Sequence, residues 1–190
     1  MATGSNSTAN VSLGKGVQGG YFYAAALGTE LPEDCTTDLE DEWVCLGYIV
    51  EDGITESPDE DTTEMADMNG DVILKVTSKS GKTFSLQLAE TKAATLEQYF
   101  GGDCVTDEAG VITVIEVSGK REAMAYVFDL LLSGDRRNRI VIPNGIVTET
   151  DDVTYSSGEV VAWGITIDAL PDDDGAKTYR YFQSTETSAA

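Results

Sequence analysis

Apolar and polar residues alternate with a period of two in stretch after stretch of this chain, and that restricts it to a strand-rich fold. Phe84, Leu86 and Leu88 alternate with Thr83, Ser85, Gln87 and Ala89, and Met124, Tyr126, Phe128 and Leu130 share one side of 122–132. Val161, Trp163, Ile165 and Ile167 repeat the pattern in 159–170, and Tyr179 and Tyr181 in 177–183. Successive side chains of a strand point to opposite faces, so each segment offers one apolar face to a core. Further strands are expected over 21–26, 43–50, 72–78, 111–117, 137–142 and 146–150, with turns at Lys79-Ser80-Gly81 and Gly134-Asp135. So many strands require two packed sheets or a closed barrel.

Only 91–100 carries a helical period. Leu96, Tyr99 and Phe100 share a face, Thr91 is placed to cap the start, and Gly101-Gly102 stops the helix. A helix this short must dock on a sheet to persist. The expected architecture is mainly β, a β-sandwich or partial barrel with one flanking α-helix, spanning 21–183. A Ser/Thr/Asn/Gly-rich segment, 1–20, is expected to be a flexible arm, and 184–190 a tail. Residues 51–71, with Gly53, Pro58 and Asn69-Gly70, are expected to form a long acidic loop that orders against a partner.

Charge narrows the function classes. The net charge is −22, and 30–71 holds 16 acidic residues and no basic one. The rest of the chain has 18 acids against 12 bases. Such a field repels nucleic acid. Histidine is absent, which removes Ser-His-Asp and Cys-His catalysis and the usual zinc sites. The odd cysteine count, Cys35, Cys45 and Cys104, suggests reduced, partly buried thiols. Met1 to Asn10 lacks the basic and apolar regions of a signal peptide, and no apolar run is long enough for a membrane span, so the protein is expected to be made and kept in a cytoplasm.

The motifs that resemble chemistry lack their context. Gly14-Lys15-Gly16-Val17-Gln18-Gly19 matches a dinucleotide pattern, but neither a preceding strand nor a following helix is expected. Ser80-Gly81-Lys82-Thr83 looks like the end of a phosphate loop, but Val76 stands where its first glycine belongs. Asp67 to Asp71 and Asp172 to Gly175 hint at calcium loops, yet the register puts Met65 and Leu170 at the first ligand position. No catalytic, cofactor-binding or metal residue is assigned, and carboxylates are too abundant for any one pair to be informative. Arg136-Arg137-Asn138-Arg139 is the one basic cluster, and it is expected to pair with carboxylates of a neighbouring subunit.

Four stretches resemble the tail tube proteins of siphophages, long-tailed phages, particularly those of actinobacteria. They are Leu46 to Thr55, Ser85 to Glu90 with Tyr99-Phe100-Gly101, Arg139 to Glu149, and Ile165 to Asp172. They stand in the family's order and spacing, and the resemblance covers about 31–182. The resemblance implies a sandwich similar to the type VI secretion tube protein, joined six at a time into rings that stack into a hollow tube. It implies a non-enzymatic virion protein, assembled in the host cytoplasm. Its partners would be itself, the tape measure, the tail terminator and the distal tail protein, with double-stranded DNA passing through unbound. Contacts between subunits or rings are expected at Glu51, Asp52, Pro58, Met65, Met68, Arg136, Arg137 and Arg139. Acids facing the lumen are expected at Asp71, Glu122 and Asp129. The competing reading is a monomeric β-sandwich binding module, for host recognition or capsid decoration.

Overall fold

The computed structural model describes residues 8, 11–117 and 120–184. In chain order the strands are β1 (Lys15–Gly16), β2 (Phe22–Ala26), β3 (Val44–Cys45), β4 (Ile49–Ala66) and β5 (Val72–Leu88). After helix α1 (Ala93–Phe100) come β6 (Val105–Glu108), β7 (Val111–Val114), β8 (Met124–Leu132), β9 (Arg136–Thr150), β10 (Trp163–Ala169) and β11 (Tyr179–Phe182). One sheet runs β3-β2-β8-β9-β10-β5-β4, with β1 added to β8 and β11 to β9. A separate hairpin pairs β6 with β7.

The sheet folds over on itself. Strands β5 and β8 lie three steps apart in the sheet, which in a flat sheet would separate them by about 14 Å. Yet the Phe84 and Phe128 rings are 5.7 Å apart, centroid to centroid. Phe128 in turn stacks on Phe22 at 4.5 Å, nearly parallel. Leu88, Tyr126, Ile142, Ile165 and Ile167 complete a buried cluster between the two halves, and Leu96 of α1 closes it. The chain crosses from β3 at one sheet edge to β4 at the other in three residues, Leu46 to Tyr48. Covalent chain rather than a ladder spans that gap, so the barrel is partial. Thr95 of α1 donates to the Leu46 carbonyl at 3.0 Å and Tyr21 Oη accepts from Ile49 N at 2.5 Å, fixing the crossing.

Strand β9 belongs to both halves. Its first part pairs with β8 and β11, and its second with β10. The register with β8 shifts between Tyr126↔Ile142 and Met124↔Gly145, where Pro143 and Asn144 carry the bend. A Cβ on Gly145 would lie 2.8 Å from the Tyr126 ring, so only glycine lets the bent strand approach. The other face of β2, β8 and β9 is also covered: Ala25, Trp43, Ala125, Val127 and Val141 are buried there beneath Leu31 and Leu39 of the 27–42 segment.

The structure departs from the sequence expectations at several places. The 51–71 segment is no loop: β4 runs through it to Ala66, and only 67–71 turns. Pro58 is tolerated because β4 is an edge strand, and dense carboxylates are tolerated because most of β4 faces solvent. Gly53, at φ 73°, sits in a bulge in which 50–53 stand against a single residue of β5. Lys79-Ser80-Gly81 is not a turn but the middle of β5, with Gly81 opposite Asp59. The 43–50 strand is broken at 46–48, and the strands at 137–142 and 146–150 are one, β9. Thr91 does not cap α1; Lys92 occupies that position, and Thr91 Oγ1 accepts from Trp163 Nε1 at 3.2 Å. Within the expected arm, Lys15 and Gly16 pair with Leu131 and Leu130 of β8. Residues 1–7, 9, 10 and 185–190 of the expected arm and tail lie outside the described residues.

Phe128→Ala removes the ring at which both sheet halves meet. The expected cost is about 3–5 kcal/mol of unfolding free energy, measured by chemical denaturation of the dilute protein.

Candidate assembly surface

Beyond Phe84 the β4–β5 hairpin leaves the core. All buried hydrophobic residues of β5 lie at 84–88, and every described side chain from Thr62 to Ala66 and from Val72 to Thr77 is exposed. This arm is about 35 Å of two-stranded ribbon from Thr83 to its tip.

A bulge decides which side of the arm is apolar. Asp61 pairs with Lys79 and Thr62 with Thr77, so residue 78 is unmatched. One extra residue reverses the alternation on its strand. Before the bulge, Lys82, Phe84, Leu86 and Leu88 share the core-side face. After it, Leu74 and Val76 stand opposite Met65 and Thr63 on the reverse face. Met65 is 51% exposed, Leu74 49% and Val76 44%. The core-side face there carries the Lys75–Glu64 ion pair. Between the two bulges the arm is therefore amphipathic, with Met65, Leu74 and Val76 facing away from its own protomer's core; a second shift near the tip leaves residue 73 unmatched, and Val72 and Ile73 are exposed there as well.

Backbone edges are open as well. Among the described residues, the outer edge of β4, the edge of β5 from Val72 to Lys82, and the outer edge of β11 have no strand partner.

The arm's base is pinned by cations. The Glu56 carboxylate pairs with Lys82 Nζ at 2.6 Å and with the guanidinium of Arg180 on β11. Partial burial pushes the Glu56 carboxyl up, but the bonds from Arg180 and Lys82 outweigh it and hold it below the usual glutamate range. Lys177, just before β11, donates to the Ser80 carbonyl and reaches Ser80 Oγ at 3.3 Å.

The expected contact residues separate into distinct places. Pro58 and Met65 lie on the arm and Met68 and Asp71 on its tip turn, whereas Glu51 and Asp52 sit in the bulge at the start of β4, at the other end of the hairpin from the arm. Glu122 is exposed just before β8, on the rim of a cavity that Gln98, Arg121 and Tyr126 also line.

Arg139 and Asp129 require a correction. They stand directly opposite each other on β9 and β8 and form a bidentate pair, with Nε–Oδ1 at 2.6 Å and Nη2–Oδ2 at 2.9 Å. Arg139 is 1% exposed, and its Nη1 donates to the carbonyls of Asp34 and Thr37 at 3.1 and 2.9 Å. Its charge is used inside the protomer, so it is no surface contact, and Asp129 is covered rather than turned to a lumen. Alternation alone could not show this, because the covering segment, 27–42, has no period. Arg136 bonds Ser12 Oγ at 2.7 Å and the Ser133 carbonyl, while Arg137 engages Gln183 through its backbone.

The turn carboxylates serve their own turns. Asp67 Oδ1 accepts from the backbone N–H groups of Asn69 and Asp71, and Asp172 Oδ1 from those of Asp174 and Ala176. Asp34 accepts from Thr36 and Thr37. Hydrogen bonding holds all three below the usual carboxylate range: to the Thr37 hydroxyl first for Asp34, to the Asp71 N–H for Asp67 and to the Tyr179 hydroxyl for Asp172. The same bond pushes the Tyr179 hydroxyl up to about 12. Among the described residues no group of three or more Cys, Asp or Glu is gathered as a metal site, and no helix is long and apolar enough to cross a membrane.

The family described as "Phage tail tube protein" matches residues 16–190. Comparison with curated proteins finds no match. Among solved structures, the tube-terminating cap of the anti-feeding prophage is similar at 13% identity and a TM-score of 0.47, over 90% of this chain and 93% of that one. The PVC sheath–tube complex of an extracellular contractile injection system, in the extended state, is similar at 12% identity and a TM-score of 0.44, over 84% and 87%.

Two outcomes follow from the buried pair and the turns. Arg139→Ala strands the Asp129 charge under the 27–42 segment and costs about 3–5 kcal/mol in denaturant unfolding. The lowered folded-state values of Asp34, Asp67 and Asp172 mean that the unfolded chain binds more protons in acid. Their contribution is complete above the unfolded value, about pH 4, and is lost as pH falls through the folded values. Thermal midpoints recorded from pH 5 downward should therefore fall.

Proposed function

Since the chain belongs to the phage tail tube protein family, we propose that it is the structural subunit of a long non-contractile tail, joining six at a time into rings that stack into a tube. No chemistry is asked of any residue. The observation that carries this reading is the arm: a ribbon with an exposed apolar stripe that buries none of its own core. A lone protomer gains nothing from Met65, Leu74 and Val76 in water, and open strand edges beside them are a hazard. A second copy of the chain turns both into interface, with ladder hydrogen bonds along the β5 and β11 edges and apolar burial under the arm.

The acid excess fits the passage of DNA. A like-charged wall leaves the duplex, with one charge per about 1.7 Å, no binding minimum in which to stall. In this reading the carboxylates of the arm, Asp71 at its tip among them, and Glu51 and Asp52 in the bulge at the start of β4 lie near the lumen or the ring junctions. The tape measure inside the tube, and the terminator and distal tail proteins at its two ends, are the partners this arrangement needs. Like charge also opposes stacking, so added salt should promote assembly.

Negative-stain images of the purified protein at rising concentration and salt should show rings or tubes. Leu74→Asp with Val76→Asp should abolish them while the protomer's melting temperature stays within a few degrees, because neither side chain is in the core. A wild-type protein that remains monomeric across those conditions sinks the proposal.

A further inference from the structure

We propose that Glu56, Arg180 and Lys177 are positioning residues: a latch by which the last strand sets the direction of the arm. The inference rests on the assembly reading above, and it names what makes a protomer competent for it.

A two-stranded ribbon without a third strand is marginal by itself. At its base only β10 supports β5, and that ladder ends at Asp168↔Thr83. Beyond this point no third strand is laddered to the arm among the described residues. A 10° error at the base displaces the tip by about 6 Å, more than the ~4.8 Å strand spacing. An arm so placed would miss its register on a neighbour.

Three side chains bridge the missing ladder. Arg180 reaches the Glu56 carboxylate on β4, which Lys82 of β5 also holds at 2.6 Å. Lys177 reaches the backbone carbonyl and hydroxyl of Ser80 on β5. Both strands of the hairpin are thus tied at the arm's root, β4 through Glu56, opposite Phe84, to Arg180, and β5 through Ser80 to Lys177. Both cations belong to one segment, and that segment is fixed to the body independently of the arm: β11 pairs with β9 from Tyr179↔Val141 to Phe182↔Asn138. The latch therefore closes only when the C-terminal strand has docked, and a protomer that has not finished folding cannot present its arm.

Backbone amide relaxation of the dilute protomer tests this, together with the threshold concentration for tube formation by light scattering. In the wild type, amides of 62–66 and 72–77 should share the order parameters of the core, about 0.85. In Arg180→Glu they should fall below about 0.6, core amides should be unchanged, and the threshold should rise about fivefold. The inverted triad, Glu56→Arg with Lys82→Glu and Arg180→Glu, should restore both readouts. Should Arg180→Glu fail to fold, Glu56→Gln removes the node without adding repulsion, and it should loosen the arm in the same direction. An arm as rigid in these variants as in the wild type overturns the latch, as does a folded inverted triad that stays loose. A wild type that never assembles defeats the assembly reading alone, because the relaxation measurement needs only the protomer.

Discussion

Strand β5 has to satisfy two environments along one backbone. Residues 84–88 supply buried side chains to the fold of the sheet, where Phe84 meets Phe128 across the interior. Residues 72–77 stand in water. Side-chain alternation couples the two parts: without an interruption, an apolar residue six or eight positions before a core residue would share its face. The unmatched residue at 78 breaks that coupling. The core keeps its register and the arm turns its apolar stripe outward. The outward turn of Leu74 and Val76 follows from that insertion.

The interior and the arm use charge in opposite ways. Inside, one bidentate pair, Arg139 with Asp129, is covered by the 27–42 segment, whose carbonyls accept Arg139's remaining donors. Removing two charges from water is costly, and it is offset here because every oxygen of the carboxylate and most donors of the guanidinium find partners. The pair also fixes the acidic 34–37 turn against the sheet. On the arm and its base, carboxylates remain in water, where mutual repulsion is screened and the backbone is kept from pairing indiscriminately. The half-buried Glu56 stands between these regimes, close enough to the body to be held by two cations.

An assembling subunit has to remain soluble before it finds its neighbours. Open edges and an apolar stripe favour association, while the acid excess and an edge-strand proline oppose it in the wrong register. Membership of the tail tube family gives these opposed features a common purpose. Interfaces that stay weak between free protomers become strong when many copies close on one another.

Much of this was legible in the sequence. Alternation in 82–90, 122–132 and 159–170 determined where the end of β5, β8 and β10 lie and which of their residues face the core, because a period of two is local; the strands themselves are shorter, and β10 begins only at Trp163. The helix followed from the spacing of Leu96, Tyr99 and Phe100, and its end from Gly101-Gly102. The four family-like stretches determined the kind of protein. What tertiary structure decided is everything that depends on a second strand. Pro58 and the carboxylates of 51–66 look like a loop until β5 is seen to pair with them. The reversal at residue 78 exists only as a mismatch between two strands. The burial of Arg139 depends on a loop more than 100 residues away in sequence. A strand's face is set by its own residues, whereas its register, its edges and the fate of its charges are set by its neighbours.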